Sequence, residues 1–178
     1  MRCCAQRRRR TPPGGLGRCW GKRCAPTSRR SWGVPPMQVK YKALSDRTIP
    51  PRRAHEDDAG TDLGLPRGIR VPVGGTVTAD LEIAVAVPKG CGGFVLPRSS
   101  TGFKYDCSLS NTVGVIDSGY RGSIKIKIRN NGDKPAVFER GQYLVQMIIL
   151  PIITTSWAEV EALDATARDT AGFGSSGL

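Results

Sequence analysis

No acidic residue occurs among residues 1–36, which hold ten Arg and Lys between Arg2 and Arg30. Most of the chain's formal charge of +12, from 27 basic and 15 acidic side chains, is therefore concentrated there. The remaining residues are close to neutral, with 17 basic groups against the same 15 acidic ones. That excludes a globally basic, nucleic-acid-binding body. No apolar run approaches the roughly 20 residues that span a bilayer, and no secretory apolar segment precedes the cysteines. Histidine is nearly missing: His55 is the only one, so Cys19 and Cys24 have no His pair to complete a zinc site. Beyond residue 36 there are two cysteines, Cys91 and Cys107, too few for a disulfide framework. A reducing, cytoplasmic setting without a membrane partner is expected, unless the basic leader redirects the protein.

Residues 1–36 read as a separate leader. Arg7 to Arg10, Pro12-Pro13-Gly14-Gly15 and Pro35-Pro36 leave almost no aliphatic side chains. Such a segment cannot bury enough apolar surface to offset its ordering entropy, so disorder is expected. A polybasic nucleic-acid tail, a nuclear-type address and an acid-free transit segment all fit the composition. Met37-Gln38-Val39-Lys40-Tyr41 looks like the start of a domain, so initiation at Met37 is the competing reading.

From Lys40 onward the signals are β. Ser123 to Arg129 alternates strictly, with Ile124, Ile126 and Ile128 on one face and Lys125, Lys127 and Arg129 on the other. Leu81 to Val87 and Leu144 to Leu150 are β-branched-rich runs suited to strands buried on both faces. Turn chemistry punctuates them at Pro72-Val73-Gly74-Gly75, Pro88-Lys89-Gly90, Asn130-Asn131-Gly132-Asp133 and Arg140-Gly141. Short strands at this spacing, with 22 Gly and 13 Pro overall, predict an all-β sandwich or barrel. At most one or two helical turns are expected, around Arg98 to Lys104. The Gly-rich stretch from Thr170 to Leu178 reads as a flexible arm.

Several clusters carry chemistry. Ala59-Gly60-Thr61-Asp62 sets a carboxylate beside a glycine where backbone can approach a partner, although a plain turn carboxylate reads equally from the residues. Pro97-Arg98-Ser99-Ser100-Thr101-Gly102 offers a guanidinium, three hydroxyls and backbone amides, a phosphate cradle or a hydroxyl-capped helix start. Asp117 ends an apolar strand before Ser118-Gly119-Tyr120, which also reads as a hairpin turn. Gln142 and Gln146 interrupt an apolar strand. Gly172-Phe173-Gly174-Ser175-Ser176-Gly177 sets one aromatic in a glycine context without the Lys of a P-loop.

Taken in order, these clusters resemble the five motifs of the trimeric dUTPases. They are Ala-Gly-Thr-Asp (59–62), Pro-Arg-Ser-Ser (97–100), Asn-Thr-Val-Gly-Val-Ile-Asp-Ser-Gly-Tyr-Arg-Gly (111–122), Gly-x4-Gln (141–146) and Arg-x3-Gly-Phe-Gly-Ser-Ser-Gly (168–177). The resemblance runs from Met37 to the C-terminus. It implies a distorted jelly roll over 37–163, assembled as a homotrimer, with an arm over 164–178 that closes on a neighbour's active site.

The implied reaction is dUTP plus water giving dUMP and pyrophosphate, with Asp117 activating the water. Mg²⁺ is the implied cofactor, approached by Asp62 through water. Arg98, Ser99, Ser100 and Gln146 match phosphate-contacting positions. Asn111, Gly114, Val115, Ile116 and Lys125 belong to the hairpin that reads uracil, and Tyr120 matches the aromatic beneath deoxyribose. Phe173 and Gly174 match the part of the arm that covers the base, while Arg168, Ser175 and Ser176 match its phosphate contacts. Ser100, Thr101-Gly102, Thr61 and Ser176 depart from the commonest family residues. Two other readings compete: dCTP deamination on the same fold, which would want a catalytic Glu and no such arm, and a regulatory protein that reuses the fold to bind a partner.

Overall fold

In the computed structural model, which describes residues 37–167 and Asp169, the chain forms β1 (Lys40–Ala43), β2 (Thr61–Gly64), β3 (Ile69–Val71), β4 (Thr76–Asp80), β5 (Ile83–Ala86) and β6 (Cys91–Pro97). A short helix α1 (Ser99–Phe103) precedes β7 (Cys107–Leu109), β8 (Gly114–Ile116), β9 (Lys125–Asn130), β10 (Ala136–Phe138) and β11 (Tyr143–Pro151). All pairings are antiparallel, and the largest sheet has the order β2-β11-β6-β8. A second sheet runs β4-β9-β7, and two ribbons pair β1 with β5 and β3 with β10. The all-β expectation holds.

The core follows from the alternation. On β9, Ile126 and Ile128 are buried while Lys125, Lys127 and Arg129 face outward. One contiguous apolar cluster takes Leu63, Val95, Val145 and Met147 from the larger sheet, and Ala79, Leu109, Ile126 and Ile128 from the smaller. The two sheets therefore cover each other's apolar faces, each such side chain gaining about 1.5–3 kcal/mol from leaving water. Phe138 closes one end, edge-on to Tyr105 with ring centroids 4.8 Å apart. Asn130, fully buried at the end of β9, donates to the Val71 and Lys134 carbonyls and accepts from the Gly132 N–H. Its amide thus satisfies the backbone of the tight turn that follows.

Two sequence expectations shift. The run from Leu81 enters its strand only at Ile83, because Glu82 takes a left-handed φ of 53°. Gln142 lies outside β11 and accepts from the Glu139 N–H at 2.7 Å, so it closes a turn. After Pro151 the described chain runs on without regular structure, with Ile153, Trp157 and Leu163 almost fully exposed. Cys91 and Cys107 are free thiols, and burial pushes that of Cys107 up. Among the described residues no helix is long and apolar enough to cross a membrane.

Candidate active site

Three strands of the larger sheet converge on a cleft. Gln146 of β11 stands opposite Asp62 of β2 on one side and Leu96 of β6 on the other. The chain leaving β6 therefore delivers Arg98 and Ser99 beside them. Asp62 is not in a turn: its backbone exchanges two hydrogen bonds with Arg52, at 2.7 and 3.0 Å, and its carboxylate is nearly buried. Arg98 Nε lies 3.0 Å from Asp62 Oδ1, and its Nη1 donates to the Tyr143 carbonyl at 3.3 Å. These two contacts fix the guanidinium at the cleft and compensate the nearly buried carboxylate.

Gly60 lets the Gln146 amide sit close against the backbone, since a Cβ there would displace that side chain. That amide donates weakly to the Pro97 carbonyl at 3.5 Å. The resulting cavity, about 220 Å³, is lined by Asp62, Arg98, Ser99 and Gln146, and also by Asp58. It is smaller than the roughly 300–1,000 Å³ of whole-ligand pockets. A phosphate chain fits it better than an entire nucleotide.

The cradle differs in detail from its sequence reading. Thr101 is buried and its hydroxyl donates to the Leu144 carbonyl at 2.6 Å, pinning α1 to β11 and removing one of the three hydroxyls from the loop. No side chain caps α1. Ser99 and Ser100 make no side-chain hydrogen bond among the described residues, so their hydroxyls are available.

The second group of expected residues lies elsewhere. β8, with Gly114, Val115 and Ile116, occupies the end of its sheet. Its outer edge therefore presents unpaired backbone donors and acceptors, the groups a base edge can address. Asp117 follows β8 and is exposed. Its carbonyl accepts from the Tyr120 N–H at 3.0 Å, and Arg121 Nη1 donates to the Ser118 and Tyr120 carbonyls at 2.8 and 2.7 Å. Asn111 Nδ2 donates to the Val113 carbonyl at 3.3 Å across Thr112, a β-branched residue in the left-handed region at φ 63°. Lys125 Nζ sits 3.9 Å from Asp80 Oδ2. Arg168, Phe173, Gly174, Ser175 and Ser176 fall outside the described residues.

One chain does not bring the two groups together. Ile116 stands opposite Gly93 at the start of β6, whereas Arg98 follows its end. At about 3.3 Å per residue, β6 separates Asp117 from Arg98 by roughly 20 Å. Asp62 is three strand spacings from β8, about another 14 Å sideways.

Sequence reasoning missed Asp58, whose carboxylate accepts from the His55 N–H at 2.8 Å; that backbone donor holds it below the ordinary carboxylate value. The only signal was an Asp three residues after His55, common to many surface turns.

The sequence profile of the dUTPase family matches residues 46–177. The deoxyuridine 5'-triphosphate nucleotidohydrolase of Gloeothece citriformis is 34% identical over 142 residues, covering 80% of this chain and 98% of that one. A G-to-S variant of the Staphylococcus bacteriophage 80alpha dUTPase, solved with dUpNHpp, superposes with a TM-score of 0.71 at 25% identity, covering 79% and 99% of the two chains. A variant dUTPase from phage phi11 of S. aureus, described for its coordination of a structural Mg(II) ion, shares the fold with a TM-score of 0.64 at 24% identity, over 71% of this chain and 98% of its own.

Proposed function

The chain belongs to the dUTPase family and is a dUTP diphosphatase; we propose that its working sites form between copies of a homotrimer, one copy giving the Asp62–Arg98 cleft and another the hairpin with Asp117. The single observation that carries this reading is the separation of those two groups along β6. Neither half suffices. The cleft has charge and hydroxyls for a triphosphate but none of the groups expected to read the nucleoside, and the hairpin has a free strand edge and a carboxylate but lacks the Asp62–Arg98 cradle. The apolar side chains left exposed after Pro151 also suit contact with another copy.

In the shared site, water attacks the α-phosphorus of dUTP in line, and the bond from that phosphorus to the α,β-bridging oxygen breaks. Asp117 holds the water and takes the proton it loses, and pyrophosphate leaves. Such a reaction needs mainly positioning and charge neutralisation. Arg98, Ser99, Ser100 and Gln146 line the phosphates. The free edge of β8 with Asn111 reads uracil, Tyr120 lies beneath the deoxyribose, and Lys125 stands at the base of that hairpin. The arm 164–178 closes over a neighbour's site, Phe173 and Gly174 covering the base and Arg168, Ser175 and Ser176 approaching the phosphates.

Mg²⁺, when present with the substrate, would neutralise charge on the triphosphate. The residues present fit it: Asp62 gives one oxygen to Arg98 and keeps one for a hydrated ion. The activity would supply dUMP and limit uracil in DNA.

The test is incubation of the full chain with dUTP and with dCTP, scoring pyrophosphate and ammonia, with the mass in solution from light scattering. Pyrophosphate from dUTP alone and a trimer mass are expected. An active monomer would overturn the shared site.

A further inference from the structure

We propose that Asp80 is a positioning residue that sets the nucleoside-reading hairpin, and through it the Tyr120 ring, so that losing its carboxylate loosens the choice of deoxyribose over ribose. This rests on the reading of 111–125 as that hairpin. The hairpin returns to the body of the protein at Ser123, and two backbone bonds at 2.9 Å, Leu81 N–H to the Ile124 carbonyl and Ile124 N–H to the Ile83 carbonyl, hold its exit.

One side chain reaches over from the neighbouring strand. Asp80, opposite Lys125 in register, accepts from the Ser123 hydroxyl and, at 2.8 Å, from the Glu82 N–H through the same oxygen; its other oxygen faces Lys125 Nζ. The Ser123 carbonyl in turn accepts from the Tyr120 hydroxyl at 3.0 Å, while the Tyr120 ring occupies the space a Cβ on Gly122 would need. A continuous path therefore runs from β4 through Asp80 and Ser123 to the ring.

The same carboxylate helps fix Glu82, whose left-handed backbone also accepts at its carbonyl from the Leu44 N–H and the Thr48 hydroxyl, and whose own carboxylate accepts from Ser45 and Arg67. The hairpin's exit is thus tied to a turn that is itself tethered. A carboxylate has little reason to touch a triphosphate, whereas as an acceptor for a neighbouring hydroxyl it orients the chain without contacting substrate. These bonds face solvent, so each is worth only a factor of a few in binding.

The test is steady-state hydrolysis of dUTP and UTP by the full-chain protein and by Asp80→Ala, Asp80→Asn, Ser123→Ala and the double variant Asp80→Ala/Ser123→Ala. Asp80→Ala and Ser123→Ala are each expected to raise KM for dUTP about 3- to 10-fold, with kcat within about twofold and a lower dUTP-to-UTP ratio of kcat/KM. Asp80→Asn keeps an acceptor oxygen and should stay near wild type. The double variant should be no worse than either single one, because both break the same link.

If Asp80→Ala fails to fold, Ser123→Ala, half-buried and removing only a hydroxyl, carries the same expectation. Unchanged discrimination in Ser123→Ala, additive losses, or Asn no better than Ala would overturn the proposal. A wild-type protein that releases no pyrophosphate from dUTP would sink the functional reading first; an active wild type with indifferent variants would remove only the role of Asp80.

Discussion

The cleft and the hairpin are built in opposite ways. Asp62, Arg98 and Gln146 come from three distant stretches of sequence and are held by strand pairing, a partly buried ion pair and the close approach at Gly60. The turns of the hairpin are closed by their own neighbours, through bonds spanning one to three residues at Asn111, Asp117, Tyr120 and Arg121, while its strand β8 leans on β6 and its exit on Asp80 and the turn after β4. Asp62 is 8% exposed and Tyr120 is 43% exposed. The buried half is a finished cradle whose parts support the fold as well as the chemistry. The exposed half is a preformed edge that adds little to its own chain's stability, and on the shared-site proposal it would be completed by another copy.

The sharpest way to break that contrast is Asp117→Asn. Turnover of dUTP should fall about 10²–10⁴-fold, while the melting transition stays within about 0.5 kcal/mol of wild type, as for other exposed positions. Near-normal pyrophosphate release would remove Asp117 from the chemistry. Co-expression tests the sharing directly. Asp117→Asn with an intact cleft and Arg98→Ala with an intact hairpin should each be nearly inactive, but hybrids should recover about a quarter of normal sites from random assortment in a symmetric oligomer. No recovery in hybrids of verified composition would place both halves in one chain.

Arg98→Ala alone should also destabilise the fold by about 1–3 kcal/mol, because Asp62 keeps a largely buried charge without its partner; chemical denaturation reads this. An Arg98→Ala protein as stable as Asp117→Asn would erase the distinction between the two halves.

The smallest effect belongs to the tether behind the hairpin. The Ser45 hydroxyl, and then the Arg67 guanidinium, hold the Glu82 carboxyl below its ordinary value. A depressed carboxyl stabilises the fold above its unfolded value, and that contribution fades as pH falls through the folded one. The difference in melting temperature between wild type and Glu82→Gln should therefore be largest near neutrality and shrink in acid. A constant difference would mean that Glu82 acts through packing alone.

The legibility of the two halves differed for the same reason. Ile124, Ile126 and Ile128 announced a strand because a period of two on one face is a local property, and Asp117-Ser118-Gly119-Tyr120 announced a turn because its bonds span three residues. Thr101 looked like a free phosphate-binding hydroxyl and is a buried anchor on β11, a pairing across 43 residues that no local pattern contains. Gln142 looked like part of a strand and closes a turn. Asp58 entered the cleft without any distinguishing signal.

Residue order by itself determined that the chain from Lys40 onward is a β protein and that its basic excess lies in residues 1–36, and the five motif segments already pointed to phosphate and nucleoside chemistry. Strand alternation, turn residues and motif spacing are all short-range features written along the backbone. Only the tertiary structure decided which of those segments meet. Antiparallel register carries Asp62, Arg98 and Gln146 to one end of β6 and Asp117 to the other, and the length of a strand keeps them apart.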